Sequence, residues 1–271
     1  MTIIVYYPNG YEYEGEWKND KRNGKGIYRK SNKIKIYEGE WKDDKRDGKG
    51  ISYYDCGMVE YDGEWKNDKE EGKGMKYVYK CDNEYKFLEY DGEWKNGKKE
   101  GKGIYKSSYG ETYEGEFKDD KMEGKGIYYY YNGSKYEGEW KNGKREGKGT
   151  YEKWGEYKYE GEWKNNEMNG YGIIKDNDKN KYEGEFKDCE INGKGMIYYN
   201  DGDKYEGEFK NGKKEGKGIM YYKNGDKYEG TWCNNIKNGY GIFYLINGNK
   251  YEEEWKNGKK ELKYNMRICC I

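Results

Sequence analysis

The sequence predicts an all-β chain, an elongated single-layer antiparallel sheet of tandem β-hairpins about eleven units long. The first observation is a motif, YEGEWKNGKREGKG in its copy from Tyr136 to Gly149, that recurs along all 271 residues. Its first tyrosines are Tyr13, Tyr37, Tyr61, Tyr90, Tyr113, Tyr136, Tyr159, Tyr182, Tyr205, Tyr228 and Tyr251, at steps of 24, 24, 29 and then seven of 23. A fixed period of that size means an array of one supersecondary unit. The second observation is compositional: only 32% of residues are hydrophobic and 39% are charged, yet 36 Tyr and 9 Trp fall in register with the repeat. Such a chain folds around a ladder of rings and not around a thick aliphatic core. The third is the placement of glycine opposite those rings.

Pairing the recurring features gives each hairpin a register. In the first repeat Tyr13 faces Tyr28, Gly15 faces Gly26, Glu16 faces Lys25 and Trp17 faces Gly24. Side chains alternate between faces along a strand, so the rings lie on the same face as the glycines and cover them. The other face is expected to carry a ladder of ion pairs, Glu16–Lys25, Glu40–Lys49, Glu64–Lys73, Glu93–Lys102, Glu116–Lys125, Glu139–Lys148, Glu185–Lys194 and Glu208–Lys217. Each exposed pair contributes at most about 1 kcal/mol, and its larger effect is on register. Two repeats depart, with Tyr240 opposite Thr231 and Tyr171 opposite Glu162. The residue after the second glycine, such as Ile27 or Met196, falls on the charged face. Either a bulge resets the alternation or the sheet curls enough to half-bury both faces.

Turn residues punctuate both ends of the strands: Asn142-Gly143 inside a hairpin, and Asn132-Gly133, Asp201-Gly202, Asn224-Gly225 and Asn247-Gly248 between hairpins. Short connections place each strand antiparallel beside the next, so about 22 strands would extend on the order of 100 Å. The expected organisation is a half-repeat cap at residues 1–12, ten repeats over 13–250, and a degenerate eleventh repeat with a capping strand at 251–271. Residues 78–89 hold an insertion, read as a longer loop in preference to a bend or a partner contact. In the eleventh unit Glu253 replaces a glycine, and Leu262, Tyr264, Met266 and Ile268 alternate with polar residues. That apolar strand suits a cap, with pairing to a second copy as a homodimer the alternative.

Several function classes find no support. A net charge of zero argues against nucleic acid. Met1 to Tyr7 lacks a basic n-region, and no run approaches the roughly 18 apolar residues of a membrane span, so a cytoplasmic protein is expected. Cys56, Cys81, Cys189, Cys233, Cys269 and Cys270 form no C-x-x-C pair and no histidine is present, which suggests free thiols and no metal site. Ile268 occupies the place a prenylation cysteine would need. The glycines of Gly143 to Gly149 are one residue too close for a phosphate loop. No catalytic residue and no cofactor is expected.

The motif YEGEWKNG, followed by Gly-x-Gly, resembles the MORN repeat, the "membrane occupation and recognition nexus" unit, over nearly the whole chain. The resemblance implies a rod of hairpins with an aromatic-lined groove. It also implies a non-catalytic scaffold, since relatives of that kind serve cytoskeletal, ciliary and membrane-junction assemblies and accompany phosphoinositide kinases and lysine methyltransferases. The expected partner is therefore a protein, as helix or extended peptide, held along Tyr13, Trp17, Tyr37, Trp41, Tyr113, Phe117, Tyr136, Trp140, Tyr159, Trp163, Tyr182, Phe186, Tyr205, Phe209, Tyr228 and Trp232. The alternative partner is acidic phospholipid, docked on four hairpin loops of net charge +3 through Lys18, Lys21, Arg22, Lys95, Lys98, Lys99, Lys141, Lys144, Arg145, Lys210, Lys213 and Lys214.

Overall fold

The computed structural model describes residues 2–80 and 85–260. It divides into two units, Met1–Lys144 and Arg145–Ile271. The all-β hairpin array expected from the repeat is what forms, with no helix among the described residues. Among the described residues, twelve strands, from Thr2–Tyr6 to Lys135–Lys141, belong to the first unit, and eleven, from Lys144–Lys153 to Lys259–Lys260, to the second. Within each unit consecutive strands pair antiparallel, as in Glu12–Lys18 with Lys21–Arg29 and Lys204–Lys210 with Lys213–Tyr221. Two-residue turns close the hairpins, with positive φ at both positions, 51° and 58° at Asn19-Asp20 and 51° and 77° at Asn142-Gly143. That is the turn whose twist matches the strands.

The register is part expected and part new. Inside the first hairpin Tyr13 faces Tyr28 and Gly15 faces Gly26, but Trp17 then faces Arg22 and not Gly24. Gly24, Lys25 and the intervening register are displaced by a bulge; the fifth hairpin shows it clearly, where Gly115 faces Gly126 and the next residue, Glu116, faces Glu123. Gly124 and Lys125 are left over, and Gly124 takes φ +62°, where an L side chain is strained. The tryptophan-to-glycine and glutamate-to-lysine pairings belong to the next hairpin along: Gly24 faces Trp41 and Lys25 faces Glu40. The ion-pair ladder within hairpins is accordingly corrected. None of the pairs Glu16–Lys25, Glu40–Lys49, Glu64–Lys73, Glu93–Lys102, Glu116–Lys125, Glu185–Lys194 and Glu208–Lys217 is bridged among the described residues. The glutamate turns instead to the bulge, accepting the backbone N–H of Lys102 at Glu93, of Lys125 at Glu116 and of Lys194 at Glu185 (3.3–3.4 Å). A carboxylate there satisfies a donor that the ladder cannot reach.

The bulge lies before the second glycine, so it leaves the following residue where alternation puts it. Ile27 faces Glu14 on one side and Glu38 on the other, on the charged face, and is half-buried there. The insertion is also not a loop. It lengthens two strands, Lys69–Lys80 and Tyr85–Lys95, which stay paired from Tyr77–Leu88 to Lys80–Tyr85. Cys81 and the rest of residues 81–84 lie outside the described residues, as do Leu262, Tyr264, Met266, Ile268, Cys269 and Cys270 of the expected terminal strand.

The rings form the interior. Tyr113 lies over Gly115 and Gly126 so closely that a Cβ on Gly126 would sit 2.5 Å from two ring carbons. Its hydroxyl donates to the carbonyl of Glu116 at 3.0 Å. Tyr37 stands edge-on between Trp41 of its own hairpin and Trp65 of the next, with centroids 5.0 and 5.5 Å away. Six indoles tie hairpins together by donating to the carbonyl of a preceding glycine, as Trp41 does to Gly26 and Trp65 to Gly50. Edge-to-face pairs are worth about 0.5–1.5 kcal/mol beyond burial, so their repetition in the ten hairpins from Tyr13–Trp17 to Tyr228–Trp232 holds each layer together.

Burial gives these phenols a measurable signature. It pushes the Tyr13 and Tyr228 hydroxyls up to about 12 and raises those of Tyr37, Tyr61, Tyr113 and Tyr159 as well. A pKa raised on folding leaves stability intact below the unfolded value near pH 10 and removes it as pH rises through the folded value. Absorbance at 295 nm follows the ionisation of these interior tyrosines. The interior class should ionise only with cooperative unfolding above about pH 10.

Candidate functional site

Of the sixteen residues expected to line an aromatic groove, fifteen are no more than 7% exposed. Trp17, in the first hairpin, is half-buried. These rings are covered by one another and by cations projecting from the hairpin tips, so they build the layer and present little surface to a partner. Arg22, opposite Trp17, lies 4.1 Å from the ring of Trp41 and donates to the carbonyl and carboxylate of Asp44. Arg145 lies 4.3 Å over Trp163, Lys99 4.5 Å over Tyr105, and Lys214 4.7 Å over Trp232. Burial lowers the pKa of the Lys99 and Lys214 ammonium groups. Four of the twelve residues expected to meet lipid are therefore engaged in packing hairpin on hairpin. They are half-buried because the position opposite the tryptophan faces inward.

The other eight, Lys18, Lys21, Lys95, Lys98, Lys141, Lys144, Lys210 and Lys213, are exposed at the tips. Lys18 faces Lys21, Lys95 faces Lys98 and Lys210 faces Lys213 across their hairpins. Lys98 bonds Asp119 of the next tip at 2.8 Å.

A concave site occurs on the opposite face, within the second unit. It is a trough of about 750 Å³ running from Tyr171 to Tyr240. Its floor is a row crossing the strands, in which Glu183, Met196, Glu206, Ile219, Glu229 and Ile242 face one another in turn. A second row nearer the tips supplies Glu185, Lys194, Glu208, Lys217 and Thr231. Glycines such as Gly195 and Gly218, with no side chain, deepen the floor between the rows. Lys181, Lys204 and Lys227 hold the carboxylates of Glu183, Glu206 and Glu229 at 2.5, 3.4 and 3.1 Å. They sit outside the trough, over the rings of Tyr198, Tyr221 and Tyr244. The arrangement offers alternating aliphatic and carboxylate contacts and no convergent acid, base or nucleophile. Among the described residues no cluster of carboxylates and thiols has metal-binding geometry. Cys56, Cys189 and Cys233 are free thiols.

Sequence reasoning placed the contact surface on the rings and missed this trough. The available signal was the two lysine positions taken by tyrosine, Tyr171 and Tyr240, which stand at its two ends, 50% and 56% exposed. Tyr171 also donates to Glu183 at 2.8 Å.

A hairpin array with an aromatic interior and side-chain-lined faces has the architecture of a repeat scaffold. The chain belongs to the MORN repeat family: that family matches ten segments, 13–33, 37–55, 61–77, 90–110, 113–135, 136–153, 159–181, 182–204, 205–227 and 228–250. None of the curated proteins matches the chain significantly. Two solved structures show a distant likeness. One is the SAS-4 (dCPAP) TCP domain in complex with a proline-rich motif of Ana2 (dSTIL) of Drosophila melanogaster, at 14% identity over 66% of this chain and 88% of that chain, with a TM-score of 0.38. The other is a streptogramin B lyase, at 11% identity over 93% and 82%, with a TM-score of 0.15.

Proposed function

We propose that this MORN-repeat protein is a non-catalytic scaffold that holds a protein partner on the face opposite its rings, in the trough between Tyr171 and Tyr240. The observation that carries the reading is the contrast between the two faces. The rings are spent on the interior, whereas Met196, Ile219 and Ile242 are only half-buried in a concave, side-chain-lined surface. Apolar residues left part-exposed in a concavity are where a partner gains most from excluding water. A cytoplasmic setting in a cytoskeletal or membrane-associated assembly is supported by the family alone. The test is affinity capture from the source cell with the native chain and with Ile219→Lys. A partner retained by the native chain and lost by the variant, while Lys95→Glu/Lys98→Glu still retains it, is the expected result. A partner retained equally by Ile219→Lys would remove the trough from the account.

A second reading, binding of acidic phospholipid, is favoured by the exposed lysine pairs facing each other at the tips. Like charges held side by side are costly unless an anion joins them, as Asp119 does at Lys98, and each lysine contributes about 1 kcal/mol toward an anionic surface. Flotation with phosphoinositide vesicles, abolished by salt and by Lys95→Glu/Lys98→Glu, is its expected signature. Vesicles that leave the protein behind at low salt exclude it.

A further inference from the structure

We infer that two copies of this protein join edge to edge through the strand Thr2–Tyr6, antiparallel about Ile4, so that the first units of both form one sheet. The contact lies in the first unit and the trough in the second, so this inference and the scaffold reading stand or fall separately. Among the described residues Thr2–Tyr6 pairs on one side only, with Glu12–Lys18. Natural sheets guard such an edge with a lysine, a proline or a bulge, because unused backbone groups recruit another strand. In a chain with 39% charged residues, Thr2–Tyr6 is the one described strand that carries no charge. Ile3, Ile4 and Tyr6 are 43%, 51% and 70% exposed.

The backbone fixes the register. The N–H of Tyr7 donates to the carbonyl of Tyr11, so the groups of Tyr7, and by alternation those of Val5 and Ile3, are used toward Glu12–Lys18. Those of Thr2, Ile4 and Tyr6 point the other way. Two such strands pair over all five residues in a single antiparallel arrangement, with Ile4 on Ile4, Thr2 on Tyr6 and Ile3 on Val5. Each Ile4 then exchanges both backbone bonds with its counterpart across a two-fold axis. Such a contact sets the central side chain against its own copy, so a charge there would repel itself, and an isoleucine packs.

The same pairing completes the ring layer. Residues opposite each other share a face, so Ile3 and Val5, across from Gly15 and Tyr13, lie on the ring face, and the ring faces of both copies fall on one side of the joint sheet. Further along the array Trp65 stands between two tyrosines, Tyr61 of its own hairpin at 5.1 Å and Tyr37 of the preceding one at 5.5 Å. Trp17 is half-buried against Tyr13 at 5.3 Å, and its Nε1 lacks an acceptor among the described residues. Tyr37 reaches Trp65 from across Ser52, which faces Tyr61. Val5 holds the place of Ser52, facing Tyr13. Ile3 of the second copy, opposite Val5, therefore takes the place of Tyr37 and closes the open side of Trp17. Five residues a side fall short of the roughly 1,200 Å² that a lasting interface buries, so the dimer is expected to be reversible, with a Kd of about 10 μM.

The test is sedimentation velocity of the full chain from about 1 to 100 μM, paired with amide hydrogen exchange at both ends of that range. The native chain is expected to pass from monomer to dimer, and exchange at Ile4 and Tyr6, whose N–H groups point outward, to slow with concentration while Lys204–Lys210 does not change. Ile4→Lys, which sets two ammonium groups face to face, is expected to raise the Kd by at least about tenfold. Ile4→Pro, which removes an N–H that the fold leaves unused, is expected to do the same and guards against a variant that fails through its side chain alone. Urea midpoints equal to the native value show that both variants fold. A native chain that stays monomeric to about 100 μM, a dimer that survives both variants, or exchange at Ile4 and Tyr6 that ignores concentration would each overturn the inference.

Discussion

Gly126→Ala is expected to unfold the C-terminal hairpins of the first unit at denaturant concentrations the native protein tolerates. The added methyl would lie 2.5 Å from two carbons of the Tyr113 ring, and Gly115 opposite has no room of its own, its Cβ position being 2.6 Å from the Gly126 backbone. The ring cannot retreat, because Phe117 and Trp140 stand edge-on at 5.1 and 5.3 Å and its hydroxyl is fixed on the Glu116 carbonyl. Overpacking of that kind costs about 3 kcal/mol or more, and the loss extends to the Trp140 bond on the Gly126 carbonyl, which joins one hairpin to the next. The control is Gly143→Ala, where nothing lies within 4 Å of the new methyl and only the φ of +77° is unfavourable, at about 1 kcal/mol. Urea titration followed by tryptophan fluorescence should rank the two variants in that order. Equal midpoints would mean that the ring-over-glycine contact does not hold the layer.

Tyr205→Ala is expected to have the second largest effect, about 3–5 kcal/mol, with Tyr205→Phe costing only about 1. The ring is fully buried over Gly207 and Gly218 and stands edge-on to Phe209 at 5.2 Å and to Trp232 at 5.2 Å. Removing it leaves a cavity above two glycines, which have no side chain to fill it. Removing only the hydroxyl forfeits its 3.3 Å bond to the Glu208 carbonyl. Each repeat rests on its neighbours, so the loss is expected to spread from that hairpin, and hydrogen exchange should show Lys204–Lys210 and Lys213–Tyr221 opening before the strands around Tyr159. A phenylalanine variant as unstable as the alanine variant would mean that the hydroxyl, and not the ring, is what matters.

Much of this was legible in the residues. The period, the hairpins and the pairing of Gly15 with Gly26 follow from a pattern in which large rings and glycines share one face. The bulge was harder to see. Trp17 and Gly24 can be paired on paper, and only the positive φ of Gly24 shows that this glycine serves the backbone and not a ring. The displaced ion pairs follow from that one residue. The insertion misled because length was read without pattern: Tyr77, Val78, Phe87 and Leu88 are strand-forming residues and pair as strands. The burial of the rings was hard to read for a related reason. Tyrosines and tryptophans are good anchors at interfaces, but a chain with 32% hydrophobic residues has to spend its rings on its own interior. The departures that mark the trough, Tyr171 and Tyr240, were visible as breaks in a lysine series, and their common location emerges only once the strands are laid side by side.

Hydroxyl-radical footprinting of the free protein, read residue by residue by mass spectrometry, tests the division into an interior face and a contact face most directly. Tyr171, Tyr240 and Trp154, at 50%, 56% and 75% exposure, should oxidise rapidly, while Tyr113, Tyr205 and Trp232 stay unmodified until the protein is unfolded. Comparable oxidation of the two sets in the native state would contradict the account, since it would place the rings on an open surface and leave the layer without a core.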